Sequence, residues 1–584
     1  MRRRSLTALL LALLTLVVLG TVAAQGAGVT IAQNELRPEA GQEVDRDVPN
    51  TKSKSTAPRI VPAGASAIAS SNPGSSGFTG VTFQQHRDAD SGNQTSDTPP
   101  DQGLCQGSGT VVEPVNTTFS IYSTTGQRTS GPTSLTEFFT GEPEINRAVD
   151  PPTFGPFLSD PKCYYDPVAK RFVMTILQLP FTPDGNFING RSNVLIAVSN
   201  GSTPSTSTAD WKFFQLNTTD DGTASNDGSG NTMPSNPGCP CFGDQPLLGA
   251  DKYGIYITTN EFSILGPEFN GAQLYAISKS ALFSGSLKYQ AFHGAPIPLA
   301  EGLAYSVQPA ASPTAGSWNQ ANNGTEYFLS ALDFDATTDN RIAVWAMTNT
   351  KSLDDATPSV TLTQPTIISS ETYGQPPNAQ QKKGPTPLGD AVGEHEEQLA
   401  TNDDRMNQVV YAAGTLFGAV NTVIRTSNGA STSTDRSGIA YFAVTPSTPS
   451  ASTVAGTIAN QGYVALGNND NAFFPSIAVN AAGKGVMTFS IAGQHYFPSA
   501  AYTTIDASNG AGPIHIAAAG TAPTDDLSGY AAFGGDGVAR WGDYSAAAAG
   551  DDGSIWIATE FIPGGFGYPP FLNNWGTFVG SVTP

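Results

Sequence analysis

The sequence predicts an all-β fold, and three observations carry that reading. Short apolar strands recur seven times behind a polar or acidic residue, starting at Asp101, Asp160, Asp244, Gln308, Glu396, Phe474 and Asp543. The 62 glycines and 43 prolines are spread along the chain and break any long helix. Strand signals, in contrast, are frequent and are separated by Gly, Pro, Asn and Asp clusters. Recurrence at this spacing is the pattern of propeller blades, so a single β-propeller of seven blades is expected, with six the alternative.

The first residues read as an export signal of 24 residues. Arg2, Arg3 and Arg4 precede an apolar run from Leu6 to Leu19, and Val22 and Ala24 fit the positions before a cleavage site. The run falls short of the roughly 20 apolar residues a spanning helix needs, and no later stretch is long and apolar enough. A secreted chain with no integral membrane segment is therefore expected. Residues 25–75 are rich in Ser, Thr, Gly, Pro, Asn and Gln and poor in large apolar side chains, which predicts a disordered tether. The propeller is expected over 76–584, with Val81 to Gln84 as a strand completing the last blade.

Within that span, alternating or β-branched runs appear at Thr118–Tyr122, Arg171–Ile176, Val194–Val198, Ile255–Thr258 and Arg341–Trp345. Two of the repeats align closely. Asp160 lies twelve residues before Phe172, and Asp244 lies twelve before Tyr256. Each unit reads as an inner strand, a polar turn and a second strand. Two polar insertions, Asp220 to Gly238 and Glu371 to Asp390, are expected to be surface loops.

Charge is sparse but one-sided. There are 49 Asp and Glu against 28 Lys and Arg, a net charge of −21 that becomes −24 once the signal arginines are lost. Such a surface repels phosphate backbones, so no nucleic-acid partner is expected. Cys105, Cys163, Cys239 and Cys241 suit an oxidising exterior. Their positions predict bridges stapling the first three blades, with pairing inside Cys239-Pro240-Cys241 as the alternative.

At these residues the chain resembles a broad group of secreted bacterial propeller proteins with sialidase-like repeats. The matching segments are Pro99-Pro100-Asp101 with Ile121-Tyr122, Asp160 to Phe172, Asp244-Gln245-Pro246 to Phe262, Asp404-Arg405 with Gly414 to Phe417, Phe474-Pro475-Ser476, and Arg540 to Ser545 with Trp556. The resemblance covers about residue 98 to the end and implies an extracellular propeller; it brings no catalytic residues. Asp551 to Trp556 looks like part of a sialidase Asp box, but Ala549 stands where a hydroxyl residue belongs. An Asp box is a structural turn in any case.

Inner strands of a propeller run along its central channel, so equivalent residues meet near one mouth. That geometry predicts a ring of acids from Asp101, Asp160, Asp244, Glu396 and Asp543, joined by His395, Gln308, Arg405 and Arg540. Closely set carboxylates repel, so a cation or raised pKa values are needed. A calcium ion on Asp160, Asp244 and Asp543 is one resolution; acids acting only as turn formers is the other.

Glu261 and Glu560 each lie seventeen residues after their blade's opening acid. A carboxylate pair of this kind would serve glycoside hydrolysis, whereas a solvated Glu at a strand end is the plainer reading. A sialidase-like mechanism would add Arg147, Arg405 and Arg540 as a carboxylate clamp and Tyr544 as nucleophile. There is no Gly-x-Ser-x-Gly elbow, phosphate loop or HExxH. The expectation is a monomer that binds an extracellular carbohydrate or protein at the channel mouth. A glycoside hydrolase using Glu261, Glu560, Asp543, Arg540 and Tyr544 is the alternative.

Overall fold

In a computed structural model, residues 63–584 are described except 96–97, 181–188, 226, 228–231, 294–297, 300–301, 333–337, 429–430, 433–434 and 566–571. The expected signal and most of the expected tether lie outside the described residues. Among the described residues, strand pairing gives seven antiparallel meanders, taken here as blades 1–7. Four are separate four-stranded sheets, and blades 3, 4 and 5 are joined by parallel bridges into one sheet of 13 strands. Their inner strands are Cys105–Gly107, Phe157–Asp166, Cys241–Ala250, Gln308–Ala311, Val409–Ala412, Asp470–Val479 and Ala546–Ala549.

The blades form a closed series because every neighbouring pair shares an apolar core. Phe119 and Phe172 pack between blades 1 and 2, Val173 and Ile255 between 2 and 3, and Tyr256 and Phe328 between 3 and 4. Leu329 and Phe442 follow between 4 and 5, Phe417 and Phe489 between 5 and 6, and Tyr502 and Ile557 between 6 and 7. Val111 and Trp556 close the series between blades 7 and 1. Successive side chains of a strand point to opposite faces, and here both faces are covered. That is why Phe172-Val173 and Ile255-Tyr256 are apolar without alternation: each neighbour packs toward a different blade.

Closure is made by the N-terminal strand. Ser75–Thr82 pairs antiparallel with Gly576–Val582 and completes blade 7, starting upstream of the expected Val81. Glu113 of blade 1 ties the seam, accepting from Val81 N–H at 3.0 Å and from the Thr577 hydroxyl. Thr82 then caps a helix over Phe83–Gly92. Before the closing strand, Ser66 donates its N–H to Ala465 at 2.7 Å and Ala69 to Ile514 at 2.8 Å, so this stretch is held against blades 5 and 6.

Blades 2, 3 and 6 share a bulge in the inner strand, where two residues oppose one on the neighbouring strand. Its first residue has a positive φ and is followed by proline: Asp160 at 59°, Gln245 at 46° and Phe474 at 58°. The equivalent of Asp160 in blade 3 is therefore Gln245, and the expected alignment through Asp244 is one residue out of step. A slip of one residue in a strand moves a side chain to the other face. Blade 5 differs more: its inner strand begins at Val409, well after the expected start at Glu396.

The cysteines pair as Cys105–Cys163, joining blades 1 and 2, and as Cys239–Cys241. The expected staple into the third blade is thus replaced by local pairing. By loop-closure entropy the first bridge, with a separation of 58, contributes about 4 kcal/mol, and the second, with a separation of 2, under about 2 kcal/mol. The second insertion is not a loose loop. Ala379 pairs with Leu399 and is fully buried, and Pro387–Val392 is a short helix anchored by Asp525.

Candidate functional site: the channel mouth

One cavity, holding about 960 Å³ of non-atom space with open water included, is lined by inner-strand residues of all seven blades. Its walls carry Gln102, Gln106, Gln245, Gln308, Asn407 and Gln408, with Tyr164, Tyr165 and Tyr544 among them. Side-chain amides offer both donors and acceptors, so this lining matches hydroxyl-rich ligands.

Next to the cavity's lining residues Gln102, Lys162 and Tyr544 stand Asp101, Asp160 and Asp543, all buried, with carboxylate oxygens within 4.8 Å of one another. Asp543 donates its backbone N–H to Asp101 Oδ1 at 2.7 Å. Asp101 in turn is fixed by its own N–H on Asn116 Oδ1 at 2.7 Å. Tyr544 donates its hydroxyl to Asp160 Oδ1 at 3.2 Å, and the Lys162 ammonium sits over the Tyr544 ring. Asp543 also accepts from Asn402 Nδ2 at 3.1 Å and Arg540 Nη2 at 3.2 Å.

Arg405 forms the flank. Its Nε and Nη2 grip both oxygens of Asp403 at 2.7 and 2.8 Å, and its Nη1 donates to Gln245 Oε1 at 2.7 Å. The guanidinium stacks 4.8 Å from the centre of the Tyr305 ring.

Burial governs the electrostatics. Asp160 is raised by desolvation first and then by Asp543, with Lys162 and Tyr544 pulling it back. Asp244 is pushed up to about 7 by burial and then by Asp160. Desolvation lowers Lys162 to about 7, although Asp160, Asp101 and Asp543 oppose the shift. Tyr544 lies well above the ordinary phenol value because burial and the surrounding acids disfavour a phenolate. It is a neutral hydrogen-bond donor here, which is poor chemistry for the nucleophile the sialidase-like alternative requires.

The structure brings together Asp101, Asp160, Asp543, Arg540 and Tyr544, with Asp244 and Arg405 beside them. Gln308 lines the cavity as expected. Glu396 and His395 belong elsewhere: Glu396 Oε1 accepts from Gly384 N–H at 3.1 Å, and His395 is exposed. Arg147 donates to the Gly92 carbonyl, on the segment after the closing strand.

Glu261 and Glu560 are both buried rather than solvated, and their neighbours do not overlap. Glu261 accepts from Asn236 and Asn270 at 2.8 and 3.0 Å and is pushed up to about 9 by burial and then Asp220. Glu560 is raised by burial, then by Asp526 and Asp101. For a cation, the compact acid trio contains Asp101 where Asp244 was expected.

Sequence reasoning missed Lys162, Gln245, Asn402 and the channel amides. Lys162 stands two residues after Asp160 in the same strand, and Gln245 directly follows Asp244. Both were within reach of an alignment that allowed for hairpins of unequal length.

No family model matches the chain, and no curated protein matches it. Among solved structures, a protein of unknown function from Dyadobacter fermentans is 12% identical over 73% of this chain and 95% of its own, with a TM-score of 0.33. A sialidase from Trypanosoma rangeli is 9% identical over 74% of this chain and 55% of its own, with a TM-score of 0.30. An α-L-arabinanase from Penicillium chrysogenum is 10% identical over 72% of this chain and 92% of its own, with a TM-score of 0.28. These likenesses concern the fold and assign no residue a role. Among the described residues, no helix is long and apolar enough to cross a membrane.

Proposed function

We propose that this is an exported β-propeller that binds a carbohydrate at the mouth of its central channel. The observation that carries the reading is the amide-lined cavity, with the Asp101, Asp160 and Asp543 cluster adjoining its Tyr544 and Lys162 wall. A concave site whose polar lining is mostly side-chain amides and tyrosines favours an oligosaccharide over a folded protein. Amides and carboxylates together supply donors and acceptors for sugar hydroxyls, and the tyrosines supply stacking faces. The acid excess disfavours acidic sugars, so a neutral or amino glycan is the expected ligand class.

Asp101, Asp160 and Asp543 would give a calcium ion three oxygen ligands within this reading. The Lys162 ammonium competes for the same charge, so the ion is an accessory to the reading. Melting with and without a chelator tests it, because a bound ion stabilises the folded state by mass action. An unchanged melting temperature retires the ion.

Glycan-array binding tests the main reading. Retention of neutral or amino glycans, weakened by Asp543→Asn, supports it; retention of acidic glycans alone contradicts it. A glycoside hydrolase is the second reading, favoured by Asp244 at about 7, a value suited to a general acid near neutral pH. Turnover of a glycoside that disappears in Asp244→Asn would establish that reading in place of simple binding.

A further inference from the structure

We propose that Cys239–Cys241 is an exchangeable disulfide that oxidises thiols, with Asn270 and Glu261 each serving one of its sulfurs. The inference is independent of the channel, because the bridge lies in the turn that enters blade 3. One proline separates the two cysteines, so the bridge ties no two elements together. What surrounds it is polar and asymmetric.

Cys241, in the inner strand of blade 3, is fully buried, whereas Cys239 is half-buried in the turn before it. A thiolate from solution therefore meets Cys239 Sγ. The Asn270 amide nitrogen lies 3.4 Å from Cys241 Sγ, placed to donate to a thiolate that forms there. Glu261 Oε1 lies 3.7 Å from Cys239 Sγ, and the carboxyl is buried. Asn236 holds this carboxyl at 2.8 Å and reaches Asp220 Oδ2 at 3.4 Å. Burial and Asp220 push Glu261 up to about 9, so it carries a proton at neutral pH.

The chemistry runs in two exchanges. A thiolate attacks Cys239 Sγ, the sulfur–sulfur bond breaks, and the electron pair leaves on Cys241 Sγ beside Asn270. A second thiolate then attacks the outer sulfur of the mixed disulfide. The external disulfide departs, the electron pair passes to Cys239 Sγ, and Cys239 takes the proton of Glu261. Water reprotonates Glu261 and Cys241. Two external thiols are oxidised and one protein disulfide is reduced to a dithiol. The co-reactant class is a thiol, either a small monothiol or a cysteine pair in a peptide.

The test uses the native, full chain. It is titrated with reduced glutathione and, separately, with a synthetic peptide carrying two cysteines, then acid-quenched, alkylated and mapped by mass spectrometry. The expected result is labelling of Cys239 and Cys241 at thiol levels that leave Cys105–Cys163 closed, with any adduct on Cys239. Reaction with only one of the two reagents identifies the thiol source. Cys241→Ser, which leaves no sulfur–sulfur bond for a thiolate to attack, should form no adduct with either reduced thiol. Glu261→Gln should slow the second exchange about tenfold and leave the first unchanged, a split that a purely structural role does not produce. Opening of Cys105–Cys163 first or together, an adduct on Cys241, or no opening in the folded protein would overturn the proposal.

Discussion

Asp543 donates its backbone N–H to the carboxylate of Asp101, 442 residues earlier, at 2.7 Å. This bond joins the approach to the last inner strand to the approach to the first, next to Gln102 and Tyr544 of the cavity that all seven inner strands line. It also explains how an acid can be tolerated among other acids: its negative charge is spent partly on a fixed amide donor.

Asp101→Asn should therefore differ from Asp101→Ala. Asparagine keeps an acceptor for Asp543 N–H while removing one charge from the cluster, so stability in urea is expected to hold or rise. Alanine leaves that buried N–H unpaired and should cost about 1–3 kcal/mol. Equal losses in both variants would contradict the role given to this bond.

Glu113 makes the ring closure pH-dependent. Burial pushes its carboxyl from 4.5 up to about 7 despite the donors from Thr577 and Val81. The folded state thus holds the proton more tightly than the unfolded chain does. Stability at this site is full below the unfolded value, falls as pH rises from about 4.5 to about 7, and is flat above, a loss on the order of 3 kcal/mol. Glu113→Gln keeps an acceptor for Val81 and should remove that slope, leaving the variant more stable than wild type at pH about 8. Urea titrations of both proteins across this range provide the check.

Lys162 is the counter-charge within the acid trio. Lys162→Met leaves the carboxylates facing one another. Because burial has already pushed the ammonium down to about 7, the loss near neutral pH should fall short of the roughly 3–5 kcal/mol of a broken buried ion pair. The loss should shrink as the solution is acidified and Asp160 takes a proton. A pH-independent loss would mean that Lys162 acts through packing on Tyr544 alone.

The two disulfides should contribute unequally. Replacing Cys105 and Cys163 together by serine is expected to lower unfolding stability by up to about 4 kcal/mol, and replacing Cys239 and Cys241 by less than half as much. Chemical denaturation of the two double variants measures both. A larger loss from the local pair would place structural weight on it that its short loop does not predict.

Much of this architecture was legible because a propeller repeats its physics. Asp101 and Asp543 precede inner strands and Asp160 sits at the bulge inside one, and closure brings such positions together whatever their distance in sequence. Asp244 was misplaced because the hairpin beyond the shared bulge runs from Lys162 to Thr175 in blade 2 but only from Leu247 to Thr258 in blade 3, so aligning Phe172 with Tyr256 slips the acid out of register. Glu396 and His395 were misplaced because the segment before Val409 packs as a covering layer, where Ala379 and Leu388 are buried, instead of as an inner strand. Glu261 looked like a solvated strand end, since its partners Asn236 and Asn270 come from a preceding turn and a neighbouring strand. Local pairing of Cys239 with Cys241 left the third blade without the expected staple.

The most direct test of the central claim is a titration of an array-selected neutral or amino oligosaccharide into wild type, Asp543→Asn and Gln308→Ala. Binding at the channel mouth predicts that both variants stay folded and lose about tenfold or more in affinity, some 1.4 kcal/mol. Undiminished affinity in both folded variants would contradict it and move the ligand away from the channel.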